Sequence, residues 1–183
     1  MSTQASTADL VGALYRTEGK AEIVGGEIVV MSPAGWRHYR AAGNMYLSLR
    51  AYEKSAGFGF AVSDNAGFLV DLPRRKSFSP DTAYHAGPPT GPKFLDRAPV
   101  FAVEVRSEED YGPVAEKAMA AKRADYFAAG TLVVWDVDVL RDGLIRAYRA
   151  TAPETPAVYR RGQMAEAEPA LPGWTFAVDD LFE

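Results

Sequence analysis

The sequence predicts an α/β fold: a central mixed β-sheet flanked by helices, with an N-terminal hairpin and a C-terminal antiparallel extension. Three observations predict it. Apolar residues at helical spacing run through Ala42, Met45, Tyr46, Leu49, Tyr52 and Ala56. Pro99 to Ser107 alternates with period two, sending Phe101, Val103 and Val105 to one face and Val100, Ala102, Glu104 and Arg106 to the other. Thr131 to Val137 is apolar and β-rich along its length, as a buried strand requires.

The first nine residues are small and polar and are expected to fray. Leu10 to Glu18 reads as a short helix. Ala21 to Met31 reads as a hairpin, because Gly25-Gly26 supplies the positive φ angles of a tight turn between two apolar runs. Ser32-Pro33 ends the second strand. The striped helix spans Trp36 to Ala56 and stops at Gly57. Phe58 to Ser63 and Gly67 to Asp71 are strands around the turn Asp64-Asn65-Ala66. Phe78 to His85 follows as a strand with Asp81 near its start. Gly87 to Pro92, with three prolines and two glycines, is a loop. Tyr111-Gly112-Pro113 opens a helix that runs to Ala129 and ends at Gly130. Leu144 to Arg149 and Ala157 to Arg161 are strands, Pro172-Gly173-Trp174 is a turn, and Phe176 to Phe182 packs the C-terminus down. The middle of the chain therefore runs helix, strands, helix, strand, which reads as an αβββαβ core.

Composition bounds the function. The chain has 183 residues, of which 48% are apolar, 24% charged and 11% aromatic, which excludes collagen, a coiled coil and a disordered tail. One domain over residues 1–183 is expected at this length. Without cysteine there is no disulfide, thiolate metal site or Cys nucleophile. No apolar run reaches the ~20 residues of a membrane span. Met1 to Asp9 lacks the features of a secretory signal, so a cytoplasmic protein is expected. With 20 Lys+Arg against 24 Asp+Glu, the net charge of −4 argues against a histone-like polyanion binder. It is compatible with an enzyme whose carboxylates hold a metal.

Glu104 is the informative residue. It interrupts an apolar strand, and burying an unpaired carboxylate costs several kcal/mol, so a basic partner, hydrogen bonds or a metal must compensate it. Asp81 lies 23 residues earlier near the start of another strand; if the two strands are neighbours, both carboxylates converge on one cation. Oxygen ligands without cysteine suit Mg2+ or Mn2+. On the following helix Lys117 and Lys122 point apart, so only one faces the sheet, and Lys122 lies one turn before Tyr126. The alternative is structural: Glu104 pairs with Arg106 or a helix arginine, and Asp81 and Lys122 are solvated.

In order and spacing, Ser79-Pro80-Asp81, Val103-Glu104-Val105-Arg106-Ser107 and Lys122 with Tyr126 ahead of Gly130 resemble the PD-(D/E)XK nuclease superfamily. More closely, the chain is similar to the Uma-two family of restriction-endonuclease-like proteins. The features that carry this are the hairpin Glu22-Ile23-Val24-Gly25-Gly26-Glu27, then Met31-Ser32-Pro33, and Arg37-His38 opening the first long helix. Trp135-Asp136-Val137-Asp138, Leu171-Pro172-Gly173-Trp174 and Leu181-Phe182 complete the match, which runs from about residue 20 to the end. The αβββαβ order is also that superfamily's core.

The resemblance implies a restriction-endonuclease-like fold and metal-dependent hydrolysis of DNA phosphodiesters. Asp81 and Glu104 would hold one or two Mg2+ (or Mn2+) ions, with the Val105 carbonyl as a further ligand. Lys122 would orient water or stabilise charge at phosphorus. The superfamily's usual lysine position, two residues after the glutamate, holds Arg106, which cannot act as a base. Arg106 would clamp phosphate or pair with Glu104 or Glu108. His38 would contact the metal site or a phosphate, and Glu27 would be a further acid near it. Arg74, Arg75 and Lys76, just before Pro80-Asp81, are expected at substrate phosphates, with Arg37, Arg40, Lys117 and Arg123 as further candidates. His85 is expected to be structural, and Asp136 and Asp138 to lie in a turn or at a sheet edge. A homodimer is expected by analogy with nucleases that cut both strands. Two other readings stand beside the nuclease: an idle protein of this fold that binds nucleic acid or a protein partner, and a structural module with a buried Glu104–Arg106 pair.

Overall fold

The computed structural model describes residues 6–183. Helix α1 (Thr7–Leu14) starts in the stretch expected to fray. Ser6 Oγ accepts from the Asp9 amide at 3.2 Å while the Asp9 carboxylate accepts from the Ser6 amide at 3.2 Å. This reciprocal cap satisfies two amides that a helix start leaves open. Strands β1 (Ala21–Val24) and β2 (Glu27–Val30) pair antiparallel across Gly25-Gly26, whose φ angles of 64° and 83° need residues without a side chain. Helix α2 (Trp36–Ala56) buries Ala42, Met45 and Leu49 of its predicted stripe, and Gly57 ends it.

The next strands are shorter than the sequence suggests. They are β3 (Phe60–Ser63), β4 (Phe68–Leu69), β5 (Ser77–Phe78), β6 (Thr82–His85) and β7 (Leu95–Asp96). The strand expected over 78–85 is split between β5 and β6. Pro80 has no N–H to give a ladder, so pairing lapses there and resumes when the Asp81 amide donates to the Val103 carbonyl at 3.1 Å. Then come β8 (Phe101–Val105), α3 (Pro113–Ala128), β9 (Val133–Asp138), β10 (Leu144–Arg149), β11 (Ala152–Arg160), β12 (Met164–Glu166), β13 (Thr175–Ala177) and a 3-10 turn at Val178–Phe182.

Six strands form the main sheet in the order β11-β10-β9-β8-β6-β3. Every neighbouring pair is antiparallel except β8–β9, whose parallel pairing requires the crossover that α3 provides. Small sheets β5-β4-β7, β1-β2 and β12-β13 surround it. On one face Phe101, Val103, Val105, Trp135 and Ile145 pack with Met45 and Leu49 of α2 and with Trp174 and Phe176. Trp135 and Trp174 stack with centroids 5.2 Å apart. On the other face Ala83, Ala102 and Val134 pack with Tyr126 of α3, Phe68 and Phe78. Strand alternation puts Glu104 on the same side as Ala102, toward α3. Asp136 is buried inside β9 rather than at a turn or edge, whereas Asp138 ends that strand and its Oδ1 accepts from the Leu140 and Arg141 amides of the following turn at 3.1 and 2.9 Å. Among the described residues no helix is long and apolar enough to cross a membrane.

Candidate active site

The antiparallel register of β6 and β8 sets Thr82 opposite Val103 and Ala83 opposite Ala102. Continued by one step it brings Asp81 level with Glu104, on the same face of the sheet. Both line an open cleft of ≈ 1720 Å³ between the β1–β2 hairpin, the start of α2 and α3.

Each carboxylate is held from several directions. Asp81 Oδ2 accepts from the Val105 amide at 2.7 Å and lies 3.2 Å from His38 Nε2. Asp81 Oδ1 pairs with Lys20, whose ammonium also lies 2.6 Å from Asp64. Glu104 accepts from Lys122 Nζ at 2.8 Å and from the Tyr126 hydroxyl at 2.6 Å. Lys122 Nζ also lies 2.9 Å from Glu22, which accepts from the Ser79 amide at 2.8 Å. Arg75 then binds Glu22 at 2.5 Å and Asp125 at 2.8 Å.

Two ion-pair groups meet at the adjacent strands, one around Lys20 and one around Lys122 and Arg75, and together they hold five carboxylates (Glu22, Asp64, Asp81, Glu104 and Asp125) against three permanent cations, with His38 beside Asp81. That excess shapes the protonation equilibria. Burial, with the like charges of Asp81 and Glu22 added, raises Glu104 above the usual carboxylate range against the pull of Lys122. Burial would also raise Asp81, but His38 and Lys20 overcome it and hold the carboxyl far below its ordinary value. Burial would lower His38, Lys20 and Lys122, yet the facing carboxylates raise all three. Tyr126 is driven well above its ordinary value by burial and by Glu104, so it keeps its proton. A hard divalent cation fits this chemistry, since its charge closes the carboxylate excess and its preferred ligands are oxygens. Among the described residues no three His, Asp or Glu side chains form a ready-made cage. Mg2+ characteristically needs only one or two carboxylates and keeps several waters.

A family model described as "Uma2: Putative restriction endonuclease" matches residues 9–179. The chain belongs to the Uma2 family. Among solved structures, it is similar to the "putative nuclease belonging to DUF820 from Anabaena variabilis ATCC 29413". The TM-score is 0.72 at 14% identity, over 94% of this chain and 96% of that one. At that identity the likeness establishes the fold, a restriction-endonuclease-like α/β architecture. No curated protein matches the chain.

In this Uma2 chain Asp81, Glu104, Lys122 and His38 come together, and Val105 joins them through its amide. Lys117 is exposed on α3, away from the cluster. Arg106 does not line the cleft. Its guanidinium is buried in a two-pronged pair with Asp136, 2.7 Å on each prong, and also binds Glu116. This replaces the expected pairing with Glu104 or Glu108 and removes the basis for a structural Glu104–Arg106 pair. The run 74–76 divides: Arg74 is exposed, Lys76 pairs with Asp71 at 2.5 Å, and Arg75 is buried on Glu22 and Asp125. For Arg75 and Arg106 the expectation of phosphate contact is revised, because carboxylates inside the protein occupy both guanidiniums. Glu27 is exposed beside the hairpin turn, and the hairpin's acid in the cleft is Glu22. A signal for Glu22 existed: like Glu104, it interrupts an apolar strand. Lys20 precedes it by two residues, on the same strand face. Asp64, which reads as a turn residue, had no such signal.

Proposed function

We propose that this Uma2 chain is a metal-dependent endonuclease that hydrolyses DNA phosphodiester bonds. One observation carries the reading: Asp81 and Glu104, level on adjacent strands, face a single cleft with Lys20 on one carboxylate and Lys122 on the other. Asp81 and Glu104 would hold Mg2+ or Mn2+, with the Val105 carbonyl as a further donor. When bound, such an ion lowers the pKa of a coordinated water and neutralises charge on the phosphate oxygens.

The chain's own groups then have defined tasks. The carboxylates around Lys122 hold its proton, so it acts as a donor that orients water or stabilises the oxyanion at phosphorus, and not as a base. Lys20 does the same from the Asp81 side. Tyr126 fixes Glu104 Oε1, and His38 and the Val105 amide fix Asp81 Oδ2.

The test is calorimetric titration of Mg2+ or Mn2+ into wild type, Asp81→Asn and Glu104→Gln, with plasmid nicking on the same samples. Metal binding and nicking by wild type, both lost in folded variants, is the expected result. Nicking that survives in both variants overturns the assignment. Lys122→Ala is expected to lower turnover more than metal affinity. The second reading, an idle protein that binds nucleic acid or a protein partner, is favoured by one observation: the chain's own donors already engage both oxygens of Asp81 and of Glu104. Metal binding without cleavage of any DNA form would select it.

A further inference from the structure

A second groove, of ≈ 870 Å³, opens between the start of α2 and the turn after β9. It shares Trp36, Arg37, Leu140 and Arg141 with the catalytic cleft, so the two form one continuous path. Its walls add Arg40 and Arg161. Among the described residues Arg37 and Arg141 make no ion pair. Of the other charged groups on this wall, Asp142 pairs with Arg146 at 3.0 Å, Arg161 pairs with Asp179 at 2.9 Å, and Arg40 donates to a main-chain oxygen of Glu183 at 2.6 Å. Trp36 is 71% exposed at the junction, and Tyr39, one turn along the same helix side, is 64% exposed. Arg40 lies over the Trp36 ring at 5.8 Å. Two large aromatic side chains are thus held open to solvent beside the guanidiniums of Arg37 and of Arg141, which rests on the Tyr111 ring at 3.7 Å and keeps its charge free of any carboxylate.

Resting on the nuclease reading, we infer that this groove binds unpaired nucleotides flanking the scissile phosphate, with a base stacked on Trp36 and the backbone tracked by Arg37 and Arg141. Aromatic platforms interleaved with cations suit a single strand, because its bases offer free π-faces. In a duplex those faces are already stacked, and the aromatic rings gain nothing. The substrate class is therefore DNA with a single-stranded or splayed segment at the cut site.

The protein carries its own probe. Its other two tryptophans, Trp135 and Trp174, are 0% and 5% exposed, so a ligand that quenches emission on contact reports Trp36. Wild-type protein is titrated with a dT decamer, and separately with a blunt duplex of equal phosphate number, without divalent metal. The expected result is quenching and tighter binding by the decamer. Trp36→Ala should bind it about 10-fold more weakly, in line with the loss of one stacked base. Arg37→Ala and Arg141→Ala should each flatten the salt dependence by about one phosphate's share. Equal or tighter duplex binding with unchanged emission overturns the inference, as does a Trp36→Ala variant with wild-type affinity. Because binding is read without cleavage, failure here is separable from failure of the nuclease reading, which the metal titration decides.

Discussion

At the scale of single residues, burial decides what a polar group does. His85 is 2% exposed between Phe60 and Phe68, and neither ring nitrogen has a hydrogen-bond partner. Burial lowers its pKa, with Asp96 opposing and Arg97 reinforcing the shift. The folded protein therefore binds this proton less readily than the unfolded chain does. The neutral ring is fully tolerated above the ordinary imidazole pKa of about 6.5, and stability falls as pH drops through that value. Urea unfolding of wild type against His85→Phe between pH 5 and 8 is expected to show a smaller acid-side loss in the variant. A parallel decline in both proteins would assign the loss to carboxylates instead. His38, buried to a similar degree, shifts the other way because Asp81 faces it. The family-like Arg37-His38 pair already set His38 apart from His85 in the sequence, but the direction of each shift is made by residues distant along the chain.

At the scale of elements, the sequence revealed strands and helices through periodicity, and lost them where pairing is set by distant partners. The period of two in 101–105 and the spacing in α2 survive intact, because burial on one face dictates them. The split of 78–85 and the two-residue strands β4, β5 and β7 carry no periodic signal of their own. The β1–β2 hairpin shows the same divide in the site. Its turn was readable from Gly25-Gly26, but its docking was not. The Ser77 hydroxyl accepts from the Ile23 amide at 2.8 Å, the Lys76 amide donates to the Ile23 carbonyl at 3.0 Å, and Glu22 anchors on Arg75 and Lys122. These contacts make Glu22 the cleft acid and leave Glu27 in solvent. Glu22→Gln removes the charge facing a buried arginine and is expected to cost about 1–3 kcal/mol in urea unfolding. Glu27→Gln is expected to change stability by less than about 0.5 kcal/mol. Equal effects of the two would refute the docking role of Glu22.

At the scale of the whole molecule, an acidic chain concentrates its carboxylates where two adjacent strands, a hairpin and a helix meet. Isolated positions in the sequence already suggested Asp81, Glu104 and Lys122. The excess of five carboxylates over three cations emerges only when five separate stretches of chain are folded together. Unfolding disperses those charges, so on the proposed reading a divalent cation that closes the excess would bind the folded state and not the unfolded one. Linkage then converts affinity into stability: at about 100 times the dissociation constant the gain is about 2.7 kcal/mol. For a chain of this size each kcal/mol raises the melting temperature by about 2–4 °C. Mg2+ or Mn2+ is therefore expected to raise the Tm of wild type by about 5–10 °C, and EDTA to reverse it. Asp81→Asn removes one of the two paired ligands and should respond by less than about 2 °C, on its own baseline. A shift of equal size in the variant would place the cation elsewhere on the protein. No shift in wild type would mean that Lys20 and Lys122 already serve as the carboxylates' sole counterions.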